Sequence, residues 1–408
     1  MKQTKSAIAL LFVIFLLAFP ASVQADREQC TAAVISPLAT ADGAPILWKN
    51  RDTGTLSNKV VYVKAVPFNY LALVNAGSTS GRHAWAGLNS AGFAIMNTVA
   101  YNLPEKPGEV NDLEGIIMAD ALRTCRTVED FEEYIRANLG PELGSWANYG
   151  VMDASGKAFI YEVHNHGYEK FNASSASDGY LVVTNFARSG KENKGAGYLR
   201  FERASQLFQS VPGKQIGFQD ILCHFTRDIG HVLLRHPAHS DLKFLPAGEN
   251  HWLFSRDCID RPITSAAVVL VGKNPMNPGS LATMWIIPGE PLCAVAIPLW
   301  VEAGSCPKSL WEGEEAPMWQ ETLRIKEILR PLKEGNKRDY INLTRLDNAD
   351  GTGYLPLLLG TEEEIIKTTL KFLNKSRTST ELAAFEEKMV EKALSALKKI
   401  PSSRTDKD

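Results

Sequence analysis

Cysteine is scarce in this chain, and that scarcity narrows what the protein can be. Cys30, Cys125, Cys223, Cys258, Cys293 and Cys306 are spread over 408 residues, too thinly for a fold built on disulfides. An exported chain permits one or two bridges, but the spacing assigns none. No two cysteines form a CxxC pair, so the commonest zinc signature is missing and no metal or cofactor is expected. Charge of one sign is missing as well. Lys and Arg number 44 against 46 Asp and Glu, the formal net charge is −2, and no basic block stands out. Nucleic acid is therefore not an expected partner. Beyond the N-terminal segment there is no apolar run of membrane-spanning length, so no membrane partner is expected once that segment is removed.

What is present begins at that segment. Lys2 and Lys5 precede the apolar run "AIALLFVIFLLAF", and "PASVQA" supplies small residues for cleavage after Ala25. Residues 1–25 read as a secretory signal, which places the protein in the periplasm or outside the cell. Arg27-Glu28-Gln29 lack the small residues of a lipid-attachment site. Residues 26–29 are then a short pro-segment before Cys30, 30–350 a catalytic domain, and 351–408 a helical extension packed on it.

The first half of the mature chain is rich in strands. "CTAAVIS" and "PILWKN" flank the turn "TADGAP". "KVVYVKAV", "YLALVNA", "HAWAGLNSAGFAIMNTV", "YGVMDASGKAFIYEVH" and "GYLVVTNF" continue the pattern, with turns at Asn89 to Gly92 and Asp153 to Gly156. Helical spacing runs from Asp112 to Asn138 with a break near Thr127, which with Glu129 and Asp130 looks like a cap and acidic first turn. "YLRFERASQLF" and "GFQDILCHFTRD" are further helix candidates. "TSAAVVLVG", "LATMWIIPG" and "PLCAVAIPLWV" form a second β group. In "STELAAFEEKMVEKALSALKKI", Leu382, Phe385, Met389, Ala393, Leu397 and Ile400 make an amphipathic stripe that predicts a helix packed on the domain's outside. Runs of strands separated from runs of helices predict an α+β class, with sheets packed face to face and helices outside.

Cys30 is the residue with chemical promise. Trimmed to that position, the chain carries a thiol and a free α-amine on one residue. The α-amine has an ordinary pKa of about 7.7–8.0, so part of it is neutral near pH 7 and takes the thiol proton directly or through one water. Nucleophile and base are then supplied without histidine. The histidines in "HVLLRHPAH" (His231, His236, His239) and "EVHNH" (His164, His166) lack zinc spacing and read as surface or loop residues. Cys125, between Leu122 and Arg126, reads as buried and inert.

The leading "CT", "ADGAPILWKNRD", "GLNSAGFAIMNT", "GYLVVTNF" and "YLRFERASQL" occur in that order. Together they resemble the N-terminal nucleophile (Ntn) hydrolases, in particular the choloylglycine hydrolase and penicillin V acylase group and the isopenicillin-N acyltransferase-like proteins. The resemblance runs from Cys30 to about Arg203, with fainter support through "MWIIPG". It implies a four-layer αββα sandwich of two antiparallel sheets. It also implies an amidohydrolase that cleaves linear, non-peptide C–N amide bonds through a thioester acyl-enzyme, after autocatalytic exposure of Cys30.

By the same resemblance Cys30 is the nucleophile, and Asp52 contacts the new amino terminus. Asn97 and Asn185 are the candidate oxyanion donors, and Arg200 is the arginine near the nucleophile, with Arg203 one helical turn on. The choloylglycine hydrolases have arginine where this chain has Lys49, which keeps the charge but loses the bidentate fork. Strand alternation puts Lys49 and Arg51 on one face and Asp52 on the other. The expected partner is a small-molecule N-acyl amide whose acyl group is a bile acid, phenoxyacetyl, fatty acyl or peptide-like group. Phe68, Tyr70 and Trp85 fit an apolar acyl pocket and equally a core. A homo-oligomer is compatible with the sequence. The alternatives are an acyltransferase and an inactive exported binding protein of the same fold.

Overall fold

A computed structural model describes residues 28–78, 80–277 and 279–401. Residues 1–25, expected to be a secretory signal, and Asp26 and Arg27 of the expected pro-segment lie outside these residues.

The chain opens with a hairpin of β1 (Thr31–Ile35) and β2 (Ile46–Asp52). A meander follows: β3 (Asn58–Val63), β4 (Tyr70–Asn75), β5 (Ala86–Asn89) and β6 (Ala94–Val99). Next come α1 (Glu114–Thr124), α2 (Val128–Asn138), β7 (Trp146–Met152), β8 (Ala158–His164), β9 (Gly167–Asn172) and β10 (Tyr180–Val183). α3 (Tyr198–Gln209) leads to β11 (Trp252–Phe254), β12 (Thr264–Val271), β13 (Thr283–Ile287) and β14 (Ile297–Leu299). The last elements are α4 (Pro317–Leu329), β15 (Tyr340–Asn342), α5 (Leu343–Leu346), α6 (Leu355–Phe372) and α7 (Ser379–Lys398).

The strands pair antiparallel into two large sheets, in the orders β10-β1-β2-β12-β13-β14 and β3-β4-β5-β6-β7-β8-β9. β1 and β2 lie against β6 and β7 of the other sheet. Helices α1 and α2 cover the outer face of the second sheet through Ile117, Leu122, Phe131 and Ile135. Helices α3, α4, α6 and α7 share the first sheet's core. The result is α+β, with two antiparallel sheets between helical layers.

Strands covered on both faces read as near-continuous apolar runs rather than alternating ones. This is why "TAAVI" in β1 and "TSAAVVLV" in β12 contain so little charge. Glycine marks the closest approaches. A Cβ on Gly150 would lie 2.8 Å from Val34 Cγ2 across the sandwich, and one on Gly87 would lie 2.5 Å from Leu122 Cδ1 of α1.

The break near Thr127 is a capping box, with the Thr127 hydroxyl accepting from Asp130 N. Five stripe residues lie in α7 and Ile400 just past its end, all six are buried, and Thr378 and Glu381 form a second capping box. Two segments differ from expectation. "GFQDILCHFTRD" is a π-turn followed by a 3-10 turn, not an α-helix, and "PLCAVAIPLWV" holds a 3-10 turn and a three-residue strand. All six cysteines are free thiols, so none of the permitted bridges forms. No helix among the described residues is long and apolar enough to cross a membrane.

Candidate active site

Cys30 sits immediately before β1, at the head of a strand held between β10 and β2, and is fully buried. Burial pushes its thiol pKa up; Lys49 pulls it down, Glu28 and Asp52 add repulsion, and an Asp52 backbone hydrogen bond favours the thiolate. Lysine in place of arginine thus keeps its electrostatic hold on the sulfur. Lys49 is itself buried, which lowers its pKa against the opposing pull of Cys30 and Glu28. Its Nζ donates to Asn97 Oδ1 at 2.7 Å and to the Trp85 carbonyl at 2.9 Å.

Arg51 shares Lys49's face and reaches the second sheet too. It donates to Asn58 Oδ1 and, at 2.8 Å, to Asn75 Oδ1, lies 4.8 Å over the Trp85 ring, and pairs with Glu28 at 3.4 Å. It neighbours the thiol without replacing Lys49. Asp52 takes the opposite direction, as alternation requires. The pairing of β12 with β2 slips between Thr264 and Ala266, and there the Thr264 hydroxyl donates to Asp52 Oδ1 at 2.8 Å. Arg261 Nε lies 4.0 Å from Asp52 Oδ2. Burial raises the Asp52 pKa to about 6, against the pull of Arg261, Arg200 and the Thr264 hydrogen bond. Asp52 Oδ2 is buried without a hydrogen-bond partner.

The remaining expected residues separate into those the fold gathers and one it does not. Asn97, on β6, has its oxygen held by Lys49 while its buried Nδ2 has no partner. Asn185, just past β10, has both ends engaged. Its Nδ2 donates to the carbonyls of Val99 (3.0 Å) and Glu28 (3.3 Å), and its Oδ1 accepts from Arg200 at 2.9 Å. Of the two candidates, Asn97 is therefore the freer donor. Arg200 is in the first turn of α3 and donates to the Cys30 carbonyl at 2.7 Å and to Thr31 Oγ1 at 2.8 Å. Gly197, at φ 81°, makes this approach feasible: a Cβ there would stand 2.5 Å from Arg200 Nη2. Arg203 points elsewhere, into a two-pronged pair with Asp228 at 2.6 and 2.8 Å.

Other sequence candidates fall outside the site. His224, His231, His236 and His239 line a separate cavity of about 550 Å³ with Arg203 and Asp228. His166 pairs with Glu109 at 2.7 Å. Cys125 is buried with its pKa pushed up to about 12, chiefly by burial. Tyr70 and Trp85 belong to the core under α1, although Trp85 also meets Lys49 through its carbonyl and Arg51 through its ring. No group of three or more His, Cys, Asp or Glu is arranged for a metal among the described residues.

Three neighbours of the site were not foreseen: Arg261, Thr264 and Tyr101. Tyr101 Oη donates to the Glu28 carbonyl at 2.6 Å, Gln29 N donates to the Asp52 carbonyl at 3.0 Å, and Arg261 Nη1 donates to Gln29 Oε1 at 2.8 Å. Arg261 did leave a signal. In "DRPITSAAVVLVG" it is a charge at the head of a buried strand, as Cys30 is a thiol at the head of another.

The pieces together are a buried thiol, Asp52 Oδ2 and Asn97 Nδ2 without hydrogen bonds, and four cationic side chains, of which Arg51 and Arg261 each have an unbonded Nε.

Several solved structures are similar to this chain. One is penicillin V acylase from Agrobacterium tumefaciens, at 14% identity over 66% of this chain and 86% of that one, with a TM-score of 0.39. A mutant conjugated bile acid hydrolase from Clostridium perfringens matches at 11% identity, 63% and 89% coverage and 0.34. The Caenorhabditis elegans ortholog of N-acylethanolamine-hydrolyzing acid amidase matches at 15%, 59% and 92%, and 0.38. At such TM-scores the likenesses carry no argument, and the fold rests on the two sheets and their helices. No family model and no curated protein matches.

Proposed function

We propose that this protein is an exported N-terminal-cysteine amidohydrolase that cleaves a linear amide bond of a small N-acyl compound. The observation that carries the reading is the pairing of Cys30 with Asp52. The Asp52 backbone bonds both the Cys30 sulfur and the Gln29 amide, while its buried Oδ2 accepts no hydrogen bond and has only Arg261 Nε at 4.0 Å. An orphaned buried carboxylate oxygen is costly, and an α-ammonium created on Cys30 is the group that satisfies it.

Exposure of that amine is chemically simple. The Cys30 sulfur adds to the Gln29 carbonyl carbon, the Gln29–Cys30 C–N bond breaks, and the nitrogen takes up the proton the thiol gave. Water then hydrolyses the thioester and releases the segment ending at Gln29. In each later turnover the same sulfur attacks the substrate carbonyl, and the α-amine passes the thiol proton to the leaving amine. Asn97 Nδ2, held in place by Lys49 through its oxygen, is the free donor for the developing oxyanion, a role worth about 3–4 kcal/mol. Arg200 is a positioning residue that fixes the Cys30 carbonyl. Lys49 favours the thiolate. Hydrolysis is favoured over acyl transfer because an exported enzyme meets water far more often than an amine acceptor.

A panel of N-acyl amides offered to the purified protein tests this. Turnover of at least one member is expected, with loss in Cys30→Ala. Full turnover in both Cys30→Ala and Cys30→Ser overturns the assignment.

A further inference from the structure

The precursor is the first substrate its own thiol meets, and the contacts that hold it describe the acyl side of the site. In self-cleavage the acyl group is the segment ending at Gln29, and the leaving amine is the nitrogen of Cys30. The thioester formed has the same linkage as the acyl-enzyme of any later turnover. Moving the acyl carbon from nitrogen to sulfur within one residue leaves the Gln29 side chain attached where it was. Whatever grips Gln29 is therefore available to grip the acyl group of a substrate.

That grip is polar. Arg261 Nη1 donates to Gln29 Oε1 at 2.8 Å, from a side chain only 5% exposed. The Gln29 amide donates to the Asp52 carbonyl at 3.0 Å. One residue back, the Glu28 carbonyl accepts from Tyr101 Oη at 2.6 Å and Asn185 Nδ2 at 3.3 Å, and the Glu28 carboxylate faces Arg51 at 3.4 Å. No apolar slot appears in this set. Tyr70 and Trp85, which composition offered for one, are committed to the core under α1. With Gln29 gone, Arg261 loses its contact at Nη1, and its buried Nε makes no hydrogen bond even before that, with Asp52 Oδ2 at 4.0 Å.

We propose that the acyl subsite selects groups shaped like an N-acylated glutamine, with an acceptor oxygen on the fourth carbon beyond the scissile carbonyl and Arg261 as the donor that recognises it. An α-acylamino group on the same acid takes over the contacts to the Asp52 carbonyl and to Tyr101. This rests on Cys30 being the nucleophile, but goes beyond it by naming the acyl class and the residue that reads it. A site built to hydrogen-bond a substrate oxygen rejects the apolar isostere strongly, because its buried donor is then left unpaired.

The test compares two p-nitroanilides matched in shape, those of N-acetylglutamine and N-acetylhomoleucine, on the self-processed protein. The expected preference for glutamine in kcat/KM is about 100-fold or more. In Arg261→Met the ratio of the two substrates falls towards one, and Arg261→Lys restores part of it. The ratio is read within each variant, so a general loss of activity does not imitate the effect. Should Arg261→Met fail to fold, precursors with wild-type Arg261 decide through their rate of self-cleavage by intact mass. Gln29→Glu is expected to process at least as fast as wild type, and Gln29→Met at least about ten times slower. The same pair decides if neither anilide is cleaved by a correctly trimmed protein. Equal or better hydrolysis of the homoleucine anilide, or equal self-cleavage of Gln29→Met, overturns the subsite and leaves the amidohydrolase reading standing. A chain that never trims to Cys30 and cleaves neither anilide overturns both.

Discussion

The molecule buries two clusters of charge, and they are built in opposite ways. Under the C-terminal helices, Arg227 gives Glu362 two bonds at 2.7 and 2.9 Å, and the Ala296 amide adds a third. Beside them Glu290 accepts from Arg330 at 2.7 to 3.0 Å and pairs with Lys326 at 2.8 Å. Burial works to raise the Glu290 pKa, yet the charges of Arg330 and Lys326 hold it down at about 2. The neighbouring Asp260 is pushed well up, by burial first and by Glu290 second.

Around Cys30 the charges are as deeply buried, but Asp52 Oδ2, Asn97 Nδ2, Arg261 Nε and Arg51 Nε all lack a hydrogen bond, whereas among the groups just named only Asp260 Oδ1 does. The difference separates charge that holds a fold from charge held ready for a ligand. Saturated pairs leave nothing to offer a substrate, whereas orphaned atoms destabilise the resting protein and are repaid only when something binds.

The sharpest break of this contrast is at the sulfur. Cys30→Ala is expected to lower turnover by about 10⁴-fold or more, with little change in melting temperature. Steady-state kinetics and calorimetry on one preparation check it. Arg227→Met should do the reverse. Leaving Glu362 buried and unpaired costs about 3–5 kcal/mol in denaturant unfolding, while kcat per folded molecule stays unchanged. A loss of activity at constant stability there would erase the distinction between the clusters. Asn97→Ala should cost about 10²–10³-fold in kcat, and some stability as well, because it also takes the Oδ1 acceptor from buried Lys49.

The smallest effect is one of pH, and its sign differs between the clusters. Asp52 holds its proton to about pH 6 in the fold against an ordinary 3.8. Between those values the unfolded chain has released the proton and the folded one has not, so stability falls as pH rises, by about 3 kcal/mol, and levels off above pH 6. Glu290, held at about 2 against an ordinary 4.5, contributes stability that is present above the ordinary value and lost as pH falls towards 2. Unfolding of the uncut Cys30→Ala precursor with and without Asp52→Asn isolates the first slope. No change in slope on removing Asp52 would contradict its placement.

How much of this was legible in the sequence follows the same division. The strands from β1 to β8 and the Thr127 cap were readable because each depends on a local pattern: an apolar run, a turn, an acidic first turn. The stripe of α7 predicted its burial residue by residue. Helices α4 and α6 escaped notice because buried Lys326 and Glu362 interrupt their apolar faces, and only tertiary partners make those charges tolerable. In the site, alternation along β2 correctly split Lys49 and Arg51 from Asp52. Choosing between Arg200 and Arg203 needed the fold, since both lie on one helix and only their partners differ, Cys30 for one and Asp228 for the other. Arg261 comes from the turn before β12, more than two hundred residues downstream, and its charge at the head of a buried strand does not by itself say that this strand pairs with β2 through a slip in register.

The central claim is that Gln29–Cys30 is a bond the protein cuts for itself. Intact mass of the purified chain, followed over time for wild type and Cys30→Ala side by side, tests it most directly. The account predicts that wild type converges on a chain beginning at Cys30 while Cys30→Ala keeps Gln29. A wild-type chain that retains Gln29 indefinitely, or a Cys30→Ala chain trimmed at the same bond and the same rate, contradicts it.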